Sequence, residues 1–222
     1  MKNFVILNAE MGSRTKSYGP KCLLKLADGQ SVLDRQINTI KKHYPKAKIY
    51  HALGFEANKI IKNKAVEKYF VDDQYLNYNH FFTFAELVKH FNLKDCFLLF
   101  GDIVFDDRHF PKKTKLTTVY GRLNNDKVKV GINSNNGIVS HMMWGLDHSW
   151  AEMAYLGPDF IEFIRNKQYL DKFRRAYFFE MFNEAIDAGL KIGVEPLGSE
   201  VLNVEKISDI DIINSKFSIN AQ

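Results

Sequence analysis

The sequence predicts an α/β fold: a single domain on a mixed, mainly parallel sheet with helices on both faces. Three observations lead there. Short apolar runs alternate with amphipathic stretches through the first half, the pattern of βαβ units with right-handed crossovers. The second half carries apolar runs joined by Asn-rich turns, which adds antiparallel strands. The chain has 222 residues, 45% of them hydrophobic, enough for one sizeable core and too apolar for a disordered chain. No repeat, low-complexity tract or Pro/Ser-rich linker divides it.

Residues 4–7 (Phe-Val-Ile-Leu) read as a buried strand that enters a loop rich in Gly, Ser and Lys up to Pro20. Residues 31–44 place Val32, Leu33, Gln36, Ile37 and Ile40 at helical spacing, with Ser31 as the N-cap. A strand over 48–53, a short helix over 56–63 and a strand over 68–71 follow. Residues 79–91 are amphipathic and helical, and 96–100 form a fourth buried strand that ends in Gly101-Asp102. Residues 116–121, 127–132 and 137–143 read as antiparallel strands, separated by Asn124-Asn125-Asp126 and by Ser134-Asn135-Asn136-Gly137. A further strand spans 150–156. Gly157-Pro158-Asp159 opens a helix, residues 176–188 give another that stops at Gly189, residues 191–195 form a late strand, and 208–216 a closing helix.

Composition narrows the function. The net charge of +5 is spread among acidic residues rather than gathered in a tract, so a solvated lysine-rich surface explains it, and no basic aromatic stripe marks a nucleic-acid binder. No apolar run reaches the length of a membrane span, and the opening apolar run is too short for a signal peptide. Two cysteines, Cys22 and Cys96, make neither a disulfide framework nor a zinc site, which points to a reducing cytoplasm and to small buried side chains. His141 and His148 have no evident third metal ligand.

Ligands of open α/β sheets bind beyond the carboxyl ends of the strands, and two segments should end there. The first is Leu7-Asn8-Ala9-Glu10-Met11-Gly12-Ser13-Arg14, followed by Pro20-Lys21-Cys22-Leu23. A flexible loop with small residues turns backbone N–H groups toward phosphates, and Arg14 and Lys21 add positive charge. The second is Phe97-Leu98-Leu99-Phe100-Gly101-Asp102, where a carboxylate follows a buried strand and is placed for Mg²⁺ bridged to phosphate oxygens. Read singly, the first is also a polar surface loop and the second a helix cap or turn; the two together point to phosphate binding more strongly than either alone.

These segments resemble the signature L-A-A-G-x-G-[ST]-R…P-K-x-L of the Rossmann-like nucleoside-triphosphate transferases, which activate phosphorylated metabolites as nucleotide conjugates. The resemblance continues through Leu33-Asp34-Arg35-Gln36-Ile37, Leu53-Gly54-Phe55, Gly101-Asp102 and Asn203-Val204-Glu205, and so spans almost the whole chain. Around Asn77-Tyr78-Asn79-His80-Phe81-Phe82-Thr83 it is most similar to bacterial choline-phosphate cytidylyltransferases. It implies one nucleotidyltransferase domain over 1–222, with 1–110 serving the nucleotide and 111–222 the acceptor. Leu7, Asn8, Ala9, Glu10, Met11, Gly12, Ser13 and Gly101 would hold the nucleotide, with Arg14 and Lys21 on its phosphates. Asn79 and Thr83 would lie near the base, although Asn79 is equally an Asx cap. Asp102 and Glu205 would bind Mg²⁺. Tyr177, Phe179 and Glu180 would meet the acceptor, Tyr177 by cation–π contact and Glu180 as a counter-charge, with core packing as the alternative for the aromatics. The partners implied are an NTP, with CTP favoured, and a phosphorylated small molecule, serving a surface polysaccharide or lipid; a homodimer is left open.

Two departures stand out. Asn8 replaces alanine, and Glu10 replaces the first glycine of G-x-G, bringing a side chain and a negative charge toward a polyphosphate. The expectation is that the Glu10 side chain turns away from the triphosphate. Two rivals follow: a non-catalytic nucleotide-binding protein, suggested by Glu10, and a GT-A glycosyltransferase using Asp102, Asp106 and Asp107. The latter class lacks the early Gly-Ser-Arg…Pro-Lys segment.

Overall fold

The computed structural model describes residues 2–12, 14–63, 65–108, 110–124, 128–167 and 171–220. Ser13 and the Asn125-Asp126 part of the first expected turn lie outside the described residues. The first half contains β1 (Asn3–Asn8), α1 (Val32–His43), β2 (Lys48–Leu53), α2 (Ala57–Ile61), β3 (Lys68–Val71), α3 (His80–His90) and β4 (Cys96–Phe100). Strands β3, β2, β1 and β4 lie side by side and all run parallel. Ser31 caps α1 as expected: the Asp34 backbone N–H donates to Ser31 Oγ at 3.0 Å, and the Ser31 N–H donates to the Asp34 carboxylate at 3.0 Å.

The second half contains β5 (Ile103–Phe105), β6 (Thr118–Gly121), β7 (Val130–Asn135), β8 (Ile138–Trp144), β9 (Trp150–Leu156), α4 (Pro158–Lys167), α5 (Asp171–Arg174), α6 (Phe178–Asp187), β10 (Gly193–Pro196), β11 (Val201–Asn203) and α7 (Asp209–Lys216). The full sheet has nine strands in the order β3-β2-β1-β4-β9-β6-β10-β8-β7, and β5 and β11 form a separate antiparallel pair. Strands β7 and β8 make the expected hairpin. Its turn puts Asn136 and Gly137 at φ 50° and 75°, the left-handed geometry that Asn-Gly supplies at least cost. One expectation is corrected: β6 is not joined to β7 as a neighbouring antiparallel strand. It pairs parallel with β10 and antiparallel with β9, and all four of its residues are buried in the sheet interior.

Alternation along β1 builds the core on both sides. Val5 and Leu7 pack with Phe81, Phe84 and Phe178 from α3 and α6, while Phe4 and Ile6 pack with Leu33 and Ile37 of α1. A smaller cluster of Leu26, Val32, Val104, Val204 and Ile213 seats α7 against the β5–β11 pair. Parallel register sets Leu7 opposite Phe100, so the segments leaving β1 and β4 emerge at one edge of the sheet. The Gly101 N–H donates to the Leu7 carbonyl at 2.8 Å and holds them together.

Candidate active site

The loop after β1 folds back through two short 3₁₀ turns, Lys16–Tyr18 and Lys21–Leu23. Pro20, at φ −59°, fixes the entry into the second and aims Lys21 inward. The Lys21 ammonium donates to Asp102 Oδ2 at 3.1 Å, and both side chains are largely buried. Burial disfavours this ammonium, but the carboxylates of Asp102, Glu10 and Glu205 outweigh it and hold its pKa above the ordinary lysine value. Gly12 is required here: a Cβ would strike the Lys21 stem and come within 2.5 Å of Thr15 Oγ1. Gly101 is equally constrained, since its Cβ would strike the Asn8 side chain and approach the Leu7 carbonyl at 2.5 Å.

A second ion-pair array faces the first. Arg14 Nη1 lies 3.1 Å from Glu205 Oε2, and the Lys129 ammonium pairs with the other Glu205 oxygen. Hydrogen bonding and charge from Lys129 lead in holding the Glu205 carboxyl below the usual glutamate range. Beneath them, Glu152 of β9 accepts a hydrogen bond from the Asn203 side-chain amide. Glu152 sits at φ 56°, in the left-handed region, where the β6–β9 register slips. Burial, then the Asp102 charge, pushes its carboxyl pKa up, with Lys129 and Arg122 opposing. Arg122 is itself buried and donates to the carbonyls of Trp150 at 2.9 Å and Val201 at 3.0 Å.

Glu10, Arg14, Lys21, Asp102, Lys129, Glu152, Asn203 and Glu205 line one cleft of about 340 Å³. Its far end is aromatic. The Trp144 ring stands 4.5 Å from Phe179 at 78° and 5.4 Å from Tyr177 at 88°. Trp144 and Tyr177 are 49% and 47% exposed and border the cleft. Phe179 is buried, as the packing alternative expects, and also borders the cleft.

The structure therefore brings Glu10, Gly12, Arg14, Lys21, Asp102, Glu205, Tyr177 and Phe179 into one cleft. Leu7, Asn8 and Gly101 border a small inner pocket of about 20 Å³ just below it, which shares Glu10, Lys21 and Asp102. Ala9 and Met11 face neither space; the Ala9 carbonyl accepts the Phe55 N–H at 3.0 Å.

Four expectations are corrected. Glu10, expected to turn its side chain away from the triphosphate, instead lines the cleft, and its charge adds to the field on Lys21. Thr83 is buried and donates to Asp72 at 2.6 Å, a bond that needs no ligand. Asn79 donates its side-chain amide to the Arg175 carbonyl, so it is neither a side-chain cap of α3 nor a cleft residue. Glu180 accepts the Tyr177 N–H at 2.7 Å at the start of α6 and borders a separate cavity of about 290 Å³ rather than the cleft.

Sequence reasoning missed Glu152 and Lys129. Glu152 carried a signal, as the lone charge in the otherwise apolar run Trp-Ala-Glu-Met-Ala-Tyr-Leu. Lys129 carried none, being one of many lysines.

Among the described residues no three His, Cys, Asp or Glu side chains gather closely enough to hold a metal by themselves. Asp102 and Glu205 nevertheless fit Mg²⁺, which takes one or two carboxylates and completes its shell with water and substrate phosphate. Each carboxylate is held by cations that an incoming metal and phosphate would relieve.

Parallel strands with a loop at their carboxyl edge, extended by antiparallel strands, define a Rossmann-like α/β fold. Solved nucleotidyltransferases share it. CTP:phosphocholine cytidylyltransferase from Streptococcus pneumoniae (LicC) superposes with a TM-score of 0.78 at 19% identity, over 97% of this chain and 99% of that one. The inositol-1-phosphate CTP transferase from T. maritima gives 0.78 at 13%, over 100% and 98%. HddC from Yersinia pseudotuberculosis complexed with GMP-PN gives 0.70 at 14%, over 98% and 100%. No family model and no curated protein sequence matches the chain. The likeness is one of fold, and the chemistry rests on the side chains above.

Proposed function

We propose that this protein is a Mg²⁺-dependent nucleotidyltransferase that couples an NTP, CTP favoured, to a phosphorylated small molecule and releases pyrophosphate. The observation that carries the proposal is the Lys21–Asp102 contact at 3.1 Å, which joins the loop after β1 to the loop after β4 at the sheet edge. The acceptor phosphate needs no general base, because its second pKa near 6 leaves it largely ionised at neutral pH. One of its oxygens attacks the α-phosphorus of the NTP. The new P–O bond forms as the bond to the bridging oxygen breaks, and pyrophosphate carries that electron pair away. Arg14 and Lys21 are placed to neutralise charge that builds on the phosphates, and the cleft aligns the two reactants. Mg²⁺, held by Asp102 and Glu205, would add charge neutralisation on phosphate oxygens.

In this reading residues 1–110 serve the nucleotide and 111–222 the acceptor. The aromatic wall of Trp144, Tyr177 and Phe179 favours an acceptor with a cationic head, such as choline phosphate, by cation–π attraction. Function in the cytoplasm, supplying a surface polysaccharide or lipid, completes the proposal and rests on the family resemblance. The glycosyltransferase reading loses its support: Asp107 is paired with Lys42 at 2.6 Å, Asp106 is paired with Arg108, and neither borders the cleft. The test is a pyrophosphate-release screen of four NTPs against choline phosphate, phosphoethanolamine, glycerol phosphate and sugar 1-phosphates. Release with CTP and choline phosphate, dependent on Mg²⁺, is the expected result. Nucleotide binding with no release for any pair would favour the non-catalytic reading that Glu10 suggests.

A further inference from the structure

The reaction proposed above brings two phosphate-bearing ligands into one cleft, so cations are needed on two sides. Arg14 and Lys21 both come from the loop after β1. Among the described residues that line the cleft, Lys129 is the one Lys or Arg from the second half of the chain. Its side chain is 18% exposed and is held by Glu205. Arg122, the other nearby cation, is committed to backbone carbonyls and does not line the cleft.

Position gives Lys129 a further property. It directly precedes β7, whose first residue Val130 is in register with Trp144 of β8. The ammonium is thus supplied one residue from the strand position that faces the aromatic wall. On its other side, Lys129 and Glu205 border a second cavity of about 360 Å³, so the pair stands between two open spaces rather than in packed core. Either side chain can move without opening a void.

We propose that Lys129 is the contact for the acceptor phosphate and that Glu205 masks it in the free protein. A phosphomonoester carries close to two charges and three strong acceptor oxygens, and so displaces one carboxylate oxygen from the ammonium. Glu205 keeps Arg14 until the nucleotide arrives. With phosphate on Lys129 and the far end of the acceptor on Trp144 and Tyr177, the cleft selects a phosphomonoester of a quaternary-ammonium alcohol over the free alcohol. This assignment rests on the reading under Proposed function and adds its acceptor anchor.

The test is binding of choline phosphate and of choline to the wild type, Lys129→Ala and Lys129→Arg, read by tryptophan fluorescence, with circular dichroism to confirm folding. Lys129→Ala should lower choline phosphate affinity about 10- to 100-fold, the range for one charge-assisted contact, and leave choline affinity unchanged. Lys129→Arg should recover most of the loss. In turnover the KM for acceptor should rise while the KM for NTP stays fixed. A folded Lys129→Ala protein that still prefers choline phosphate over choline as the wild type does would overturn the assignment. If the wild type binds neither compound, the choline-phosphate reading fails instead, and inorganic phosphate decides on Lys129. Phosphate should then raise the wild-type Tm more than that of Lys129→Ala, and equal shifts would overturn the assignment.

Discussion

Replacing Lys21 by alanine separates catalysis from stability. At 3.1 Å the Lys21–Asp102 attraction is about 5 kcal/mol at an effective dielectric near 20. Much of that offsets the cost of drying two charges, so the net coupling in a double-mutant cycle with Asp102→Ala should be on the order of 2 to 3 kcal/mol. Asp102 borders an open cleft, and water reaches it once the lysine is gone. The loss of folding stability from Lys21→Ala should therefore be about 1 to 2 kcal/mol, below that for breaking a fully buried pair. Turnover should suffer more. A fixed charge aimed at oxygens that grow more negative in the transition state is worth roughly 3 to 4 kcal/mol, a fall of about 10²- to 10³-fold in kcat. The assay is pyrophosphate release at saturating NTP, with urea unfolding of the same preparation. A folded Lys21→Ala protein with full turnover would refute the reasoning, because Lys21 would then act only as a counter-ion for Asp102.

Three further predictions address other parts of the account. Glu10→Gly removes a carboxylate from the cleft, so NTP affinity by titration calorimetry should hold or tighten; loss of binding would make Glu10 a ligand contact and remove the CTP-dependent reading. His51 is fully buried on β2 with no hydrogen-bond partner for either ring nitrogen among the described residues, and burial lowers its pKa to about 4 from 6.5. The unfolded chain takes up this proton first as pH falls, so up to about 3 kcal/mol of stability should disappear between pH 6.5 and 4, and His51→Leu should flatten that slope in urea titrations. Gly101→Ala should destabilise by about 2 kcal/mol or more and lower activity, since the new Cβ meets the Leu7 carbonyl and the Asn8 side chain; an unchanged Tm would show that the β1–β4 edge yields.

The parallel half was legible because its determinants are local. Ser31 with Asp34 caps a helix by spacing alone, and runs such as Cys96–Phe100 are too apolar to lie anywhere but inside a sheet. The antiparallel half was legible as strands but not as an order. Turn chemistry predicted the β7–β8 hairpin through Asn136-Gly137, whereas the place of β6 beside β9 and β10 depends on partners distant in the sequence, such as Ala154 for Val119. Strands β5 and β11 were missed because each has only three residues and exists by pairing with the other. Arg14, Lys21 and Asp102 were readable from position after a strand. Glu180 was read as a counter-charge, but its bond to the Tyr177 N–H three residues earlier is a local helix cap. Glu152 was marked as the lone charge of an apolar strand, but its left-handed conformation at the register slip depends on the pairing of β9 with β6.

The central claim is that an acceptor phosphate oxygen becomes the bridge to the α-phosphorus of the NTP. The direct measurement is ³¹P NMR of a reaction in which every non-bridging oxygen of choline phosphate carries ¹⁸O, run with CTP and Mg²⁺. All of the label should stay with the acceptor phosphorus, one atom of it as the anhydride bridge, and the pyrophosphate should carry none. Label in the pyrophosphate, or CTP cleaved to CMP with the choline phosphate unchanged, would contradict the account.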